Sequence, residues 1–287
     1  MADRRRVGVH EHQRLAASDA VPEAGQMKHH EDALERFVAR AAADTDVLAV
    51  IVSGSLSRGT ERADSDIDLY VVVTEERWAD AFERHRLMYV EREGADYPGG
   101  YFDIKLATLS YLDDAAARGD DPVRDSFARA RIAYSRVPDL ADSLARIAVV
   151  PEEQWQKRMA SHLAQARLHG GYFLVQGLTH GDDLLTAHAA VHLATAACRA
   201  LLARDRVLYA GPKYLRSAVA ALDNKPDGFD AAVAALVHEP TIARGRAVLE
   251  LLESAADWPL SKEQTLSTFV LENELAWRYR QSPPEYR

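Results

Sequence analysis

The sequence predicts an α+β chain, with a mixed sheet and flanking helices in the first half and helices alone in the second. Three observations predict it. Apolar runs of strand length alternate with helical periodicity from His30 to Tyr134, the pattern of layered α/β packing. After Pro138 only helical patterns remain, punctuated by prolines at 212, 226, 240 and 259 that act as breakers or first-turn residues. The composition, 47% hydrophobic and 28% charged over 287 residues, is that of a globular chain with ample length for a buried core.

Taken in order, Met1 to Gln26 carries no sustained periodicity and is expected to be a flexible arm. The first domain is expected over 27–138 and the helical domain over 151–287, with the boundary between Val137 and Pro151. Glu31 to Ala43 places Leu34, Phe37, Val38 and Ala41 on one helical face. Val47 to Val52 (VLAVIV) is a branched apolar run suited to a strand buried on both faces, and SGSLSRG after it has loop chemistry. Ile67 to Val73 is a second strand, Glu75 to about Arg92 a helix, and Gly94 to Gly100 a turn-rich loop. Tyr101 to Leu109 alternates as a third strand, and Arg131 to Tyr134 is a short fourth. Helices are predicted over Glu152 to about Val175, Asp182 to Arg204, Pro212 to Leu222, Phe229 to Leu236, Thr241 to Ala255 and Ser261 to Tyr279.

Charge narrows the partners. Lys and Arg number 35 against 44 Asp and Glu, a net of −9, without the broad basic footprint of a protein that grips nucleic acid. Such acidity serves solubility, and an acidic cleft would also favour a cationic substrate. No apolar run approaches the roughly 18 residues of a membrane span, so no membrane partner is expected. The basic start lacks the apolar core of a secretory signal. The lone Cys198 excludes an intramolecular disulfide and a cysteine-based zinc site. The expected location is the cytoplasm.

The chemistry concentrates in Val52 to Val73 (VSGSLSRGTERADSDIDLYVVV). Asp66 and Asp68 are two apart at the start of an extended segment, so both project from one side. At about 4 Å two such carboxylates repel by roughly 1–4 kcal/mol. A divalent cation between them removes that conflict, and aspartate oxygens suit Mg²⁺. Gly54 permits close backbone approach to a bulky anion, the turn N–H groups and the Ser55 hydroxyl can donate to phosphate, and Arg58 is a forked phosphate donor in the same loop. Asp103, flanked by Phe102 and Ile104 in the third strand, is the best third carboxylate, because an acidic group there is otherwise costly. Metal-binding carboxylates beside a phosphate-cradling turn point to a nucleoside triphosphate held through Mg²⁺.

Gly54-Ser55, a gap of ten residues, Asp66-Ile67-Asp68 opening an apolar strand, and a later isolated Asp103 together resemble the nucleotidyltransferase superfamily of the DNA polymerase β type. Four fixed residues at ~5–7% usage each match by accident at about one start in 10⁵. The resemblance covers about Leu34 to Tyr134. It implies a nucleotidyltransferase fold, with two Mg²⁺ ions held by Asp66, Asp68 and Asp103 and the triphosphate of ATP or another NTP held by Gly54 and Ser55. The helical half is similar to that of antibiotic-adenylylating members. Gly211-Pro212-Lys213-Tyr214-Leu215 looks like a segment of some bacterial members, which implies that Lys213 reaches a phosphate. The activity implied is transfer of a nucleoside monophosphate, AMP first among them, to a hydroxyl of a small molecule such as an aminoglycoside-like antibiotic, with release of pyrophosphate. Two other readings are an antitoxin-like enzyme that adenylylates a protein and a nucleotide-binding regulator without turnover. The complete set of carboxylates argues against the regulator, and the helical domain fused in the same chain argues against the antitoxin.

Other features are weighed against plainer roles. His188 and His192 stand four apart, a zinc-binding spacing, but His188 shares a register with Leu184, Val191 and Cys198 that reads as a core histidine, and no third ligand stands out. Lys105 shares a strand face with Asp103 and suits either a phosphate or a carboxylate partner. Glu272 and Glu274 are read as solvated, and Trp155, Trp258 and Trp277 as packing. The pairs Asp113-Asp114, Asp120-Asp121 and Asp182-Asp183 are read as helix starts, where carboxylates favour the dipole.

Overall fold

The computed structural model describes residues 24–284. Its first helix, α1 (Ala24–Ala43), begins inside the segment expected to be a flexible arm; the rest of that arm lies outside the described residues. Five strands follow: β1 (Val47–Val52), β2 (Ile67–Val73), β3 (Met88–Glu91), β4 (Phe102–Ala107) and β5 (Arg131–Ser135). They form one sheet in the order β3-β4-β2-β1-β5, parallel only between β2 and β4. Among them run α2 (Gly54–Arg58), α3 (Glu75–Glu83), α4 (Leu109–Arg118) and α5 (Asp121–Ala128), and α6 (Leu140–Ala148) comes after β5.

Alternation along the strands gives the sheet two buried faces. One packs Val50, Val52, Leu69 and Ile104 against Ala33, Leu34 and Phe37 of α1. The other packs Ala49, Ile51, Tyr70 and Val72 against Leu112, Phe127, Leu144 and Ile147 of the helices that follow β4 and β5. Val50, Ile51 and Val52 are wholly buried, and burying a side chain of this size is worth about 1.5–3 kcal/mol, so β1 anchors both layers.

Two local expectations change. The helix expected to run from Glu75 to about Arg92 stops at Glu83, and β3 replaces its end. His85 turns the chain through the left-handed region (φ 55°), after which Met88 and Val90 face solvent while Tyr89 packs on the sheet. Pairing with β4 overrides the local helical pattern. The SGSLSRG segment, expected as a loop, closes into the short α2, ended by Gly59 in the left-handed region (φ 66°).

The second half is helical: α7 (Glu152–Leu168), a π-turn (His169–Phe173), α8 (Leu174–His180), α9 (Asp183–Arg204), α10 (Pro212–Ala220), α11 (Phe229–His238), α12 (Ile242–Ser254), α13 (Thr265–Glu272) and α14 (Ala276–Tyr279). The single helix predicted over Ser261 to Tyr279 is thus two short ones. At the centre lies α9, whose buried stripe is Ala189, Leu193, Ala196, Ala197, Ala200 and Leu201. The core register expected for His188 is corrected: Leu184 and Val191 are 81% and 50% exposed, and His188 is exposed with them. By length and composition α9 is apolar enough to cross a membrane, but 56% of its apolar window is buried inside the protein.

Asp120 and Asp182 cap α5 and α9, each accepting a backbone N–H at 2.9 Å. Asp113-Asp114 lies mid-helix instead, because Thr108 caps α4, accepting from the Tyr111 N–H at 3.0 Å. Trp155 is buried, but Trp277 is 74% exposed and does not pack as expected.

Candidate active site

The parallel pairing of β2 with β4 sets the site. Its register puts Asp68 opposite Asp103, and Asp66 immediately precedes β2. One carboxylate oxygen from each of Asp66, Asp68 and Asp103 lies within 4.8 Å of the others. Two residues along the same pair of strands, Lys105 is opposite Tyr70, with its ammonium 5.8 Å from the ring centroid.

Gly54 closes the arrangement from β1. It has φ +67°, and a Cβ added there would stand 1.8 Å from Asp68 Oδ2. Only glycine allows this approach. The Ser53 N–H donates to the Asp68 carbonyl at 2.9 Å, which ties the turn to β2. Ser53 occupies the N-cap of α2 without a side-chain cap bond, so its hydroxyl satisfies none of the first-turn N–H groups.

The electrostatics are those of an unneutralised acidic cluster. The Asp68 carboxyl is raised above its ordinary value, first by burial, then by the Asp66 charge; Lys105 opposes this, Asp103 adds to it and Arg58 opposes it. Asp103 Oδ1 is buried with no hydrogen-bond partner. A hard divalent cation fits such an oxygen-only donor set with an orphaned buried acceptor. Tyr101 hydrogen-bonds Asp66, and that bond is the chief reason its phenol is raised.

The remaining predicted residues sit around this centre. Arg58 donates to Asp125 at 2.7 Å and its guanidinium lies 5.0 Å from the Tyr214 ring centroid, so its charge is already paired. Lys213, exposed in the first turn of α10, lies 5.4 Å from that same ring centroid. Tyr214 therefore links the two cations, one from each half of the chain. Glu272 is half-buried and accepts a short hydrogen bond from Ser161, unlike the solvated residue expected; Glu274 is exposed. Sequence reasoning missed Tyr101, which bonds Asp66, and Asp125 and Tyr214, which contact Arg58. The last two lie 67 and 156 positions beyond Arg58, so no local spacing could flag them.

Residues 32–131 match the model of the nucleotidyltransferase domain family, the stretch that carries α2 and all three aspartates. That match identifies a nucleotidyltransferase domain within the first half of the chain and supports a nucleotidyltransferase enzyme. Among solved structures, a nucleotidyltransferase-like protein from Exiguobacterium sibiricum is similar over 87% of this chain and 79% of its own, at 14% identity and a TM-score of 0.44. No curated protein matches the chain.

Proposed function

We propose that this chain transfers a nucleoside monophosphate, AMP from ATP, to a hydroxyl of a small molecule in the cytoplasm. The observation that carries the reading is the convergence of Asp66, Asp68 and Asp103 beside Gly54, with the oxygens within 4.8 Å of one another. Held by these carboxylates, two Mg²⁺ ions would neutralise the triphosphate and lower the pKa of the attacking hydroxyl. Asp66 and Asp68 orient the nucleotide's phosphates. Gly54 and Ser55 offer backbone N–H groups to the same phosphates, and Lys213 adds a positive charge from the helical half. Asp103, with its unpartnered Oδ1, takes the proton of the acceptor hydroxyl. The acceptor oxygen bonds to the α-phosphorus, the bond from that phosphorus to the bridging oxygen breaks, and pyrophosphate leaves with the electron pair.

The acceptor subsite we assign, on its place between the two halves of the chain, is a cavity of about 360 Å³ among α4, α5, α7 and the end of the chain, lined by none of the aspartate cluster. Arg118, Lys157, Arg158 and Arg199 line it together with Asp120, Asp121 and Glu272. That lining is of mixed sign, so it favours a zwitterionic or polyhydroxylated acceptor over a simple polycation. An aminoglycoside-like antibiotic, with both amines and hydroxyls, is the first to try.

The test is incubation with ATP labelled at the α-phosphate, Mg²⁺ and a panel of hydroxyl-bearing acceptors. Label on a small molecule supports the reading, label on protein supports the protein-adenylylating alternative, and label nowhere supports a regulator. Asp68→Asn is expected to lower turnover by at least about 10³, roughly 4 kcal/mol of barrier. Near-normal turnover in that variant rejects the metal assignment.

A further inference from the structure

The helical half contains a second cluster of ligand atoms, of a different chemical kind. His188 and His192 lie one turn apart on α9, with ring centroids 4.0 Å apart. His169, the first residue of the π-turn, brings its ring to 4.8 Å from His192 and 5.5 Å from His188. One nitrogen from each ring lies within 4.8 Å of the others. The π-turn supplies what the sequence did not show, a third histidine facing the pair across the α7–α8 junction, and such turns recur at functional sites.

We infer that His169, His188 and His192 form a second metal site, which takes a late first-row divalent cation such as Zn²⁺ through three imidazole nitrogens. Imidazole is a ligand for Zn²⁺, whereas the aspartate cluster offers only hard oxygens. His169 is only 4% exposed, and its Nδ1 is buried without a hydrogen-bond partner. As mere packing this leaves a polar nitrogen unsatisfied; as a ligand the nitrogen has a use. Exposed His188 gives the ion a path from solvent. Binding requires the rings to fan apart, bringing the nitrogens to about 3.3 Å for tetrahedral zinc at 2.0–2.1 Å. No fourth His, Cys, Asp or Glu joins the group among the described residues, which leaves one position for water.

The experiment uses full-length protein, stripped with chelator and dialysed against Co²⁺ in excess Mg²⁺, with cobalt read by elemental analysis and visible ligand-field absorption. The expected result is one Co²⁺ per chain with intense bands of tetrahedral nitrogen ligation, displaced by Zn²⁺. His188→Gln, at an exposed position, should weaken binding at least about tenfold without lowering the thermal midpoint, since losing a ligand exceeds losing an outer-shell partner. Asp68→Asn should leave it unchanged. Retained Co²⁺ binding in His188→Gln, its loss in Asp68→Asn, or no cobalt retained by wild-type protein each overturns the site. The result is independent of nucleotidyl transfer, so it stands or fails apart from the function proposed above.

Discussion

Gly54 is where a single hydrogen atom decides the site. A methyl group there would overlap Asp68 Oδ2 at 1.8 Å, on a backbone already at φ +67°. Gly54→Ala should therefore destabilise the fold by about 1–3 kcal/mol, from left-handed strain alone, and displace the Asp68 carboxylate. We expect turnover to fall by at least about 10², roughly 2.7 kcal/mol of barrier. Urea unfolding and kcat measure the two effects; wild-type values for both would contradict the contact. Asp68 shows the converse trade. Its carboxyl is raised by burial and by like charges, so between its ordinary value of 3.8 and its raised folded value the folded state binds more protons than the unfolded chain. Stability contributed by this group is thus greatest at low pH and declines as pH rises through that window. In chelator at neutral pH, Asp68→Asn should be more stable than wild type by about 1 kcal/mol while inactive, because repulsion between carboxylates is relieved. A variant less stable than wild type under chelation would show that the cluster is not strained in the absence of a cation.

At the level of elements, buried side chains hold the layers in register. Arg124, 1% exposed on α5, donates to the carbonyls of Ala116 and Gly119 at the end of α4 and of Ile147 and Val149 at the end of α6. These are helix-end carbonyls with no intrahelical donor, and a guanidinium also suits the negative end of a helix dipole. Arg124→Met should cost about 3–5 kcal/mol, read as a lower urea midpoint at constant m-value. On α9, burial pushes the Cys198 thiol up to about 12 from the ordinary 9.0. The unfolded chain ionises first between those values, so the contribution of Cys198 to stability is full below pH 9 and declines toward pH 12. Folded protein should resist a thiol reagent at pH 8 and react only after unfolding. None of this was legible beforehand, although much of the frame was. The apolar runs of β1, β2 and β4 fixed their own positions because both faces are buried. By contrast β3 is an exposed edge whose partner lies across a loop, and α2 is too short to show periodicity. The three aspartates were identifiable one by one, whereas their meeting depends on the parallel pairing of β2 with β4, which local pattern does not encode. His169 escaped notice for a related reason, since it lies on a different helical segment and meets α9 only through packing that local spacing does not encode.

For the molecule as a whole, two separately packed halves meet through polar contacts near the proposed acceptor cavity. The apolar core of the helical half is built around α9, and the two sheet cores are built around β1 and β2. Between them Asp121, 5% exposed at the start of α5, pairs with Arg158 of α7 at 2.8 Å and accepts from the Tyr209 N–H at 3.4 Å. Arg58, the last residue of α2, and Tyr214 make a second link. A buried ion pair contributes little net stability over an apolar contact, yet removing one partner leaves the other charge uncompensated. Asp121→Asn keeps the shape and strips the charge, so it should destabilise the docking of the halves by about 3 kcal/mol while leaving each core packed. Calorimetry should then resolve two thermal transitions in place of one, and the KM for the acceptor should rise more than the KM for the nucleotide, because Asp121 lines the proposed acceptor cavity and lies outside the aspartate cluster. A single unshifted transition with both KM values unchanged would place the docking energy elsewhere in the interface.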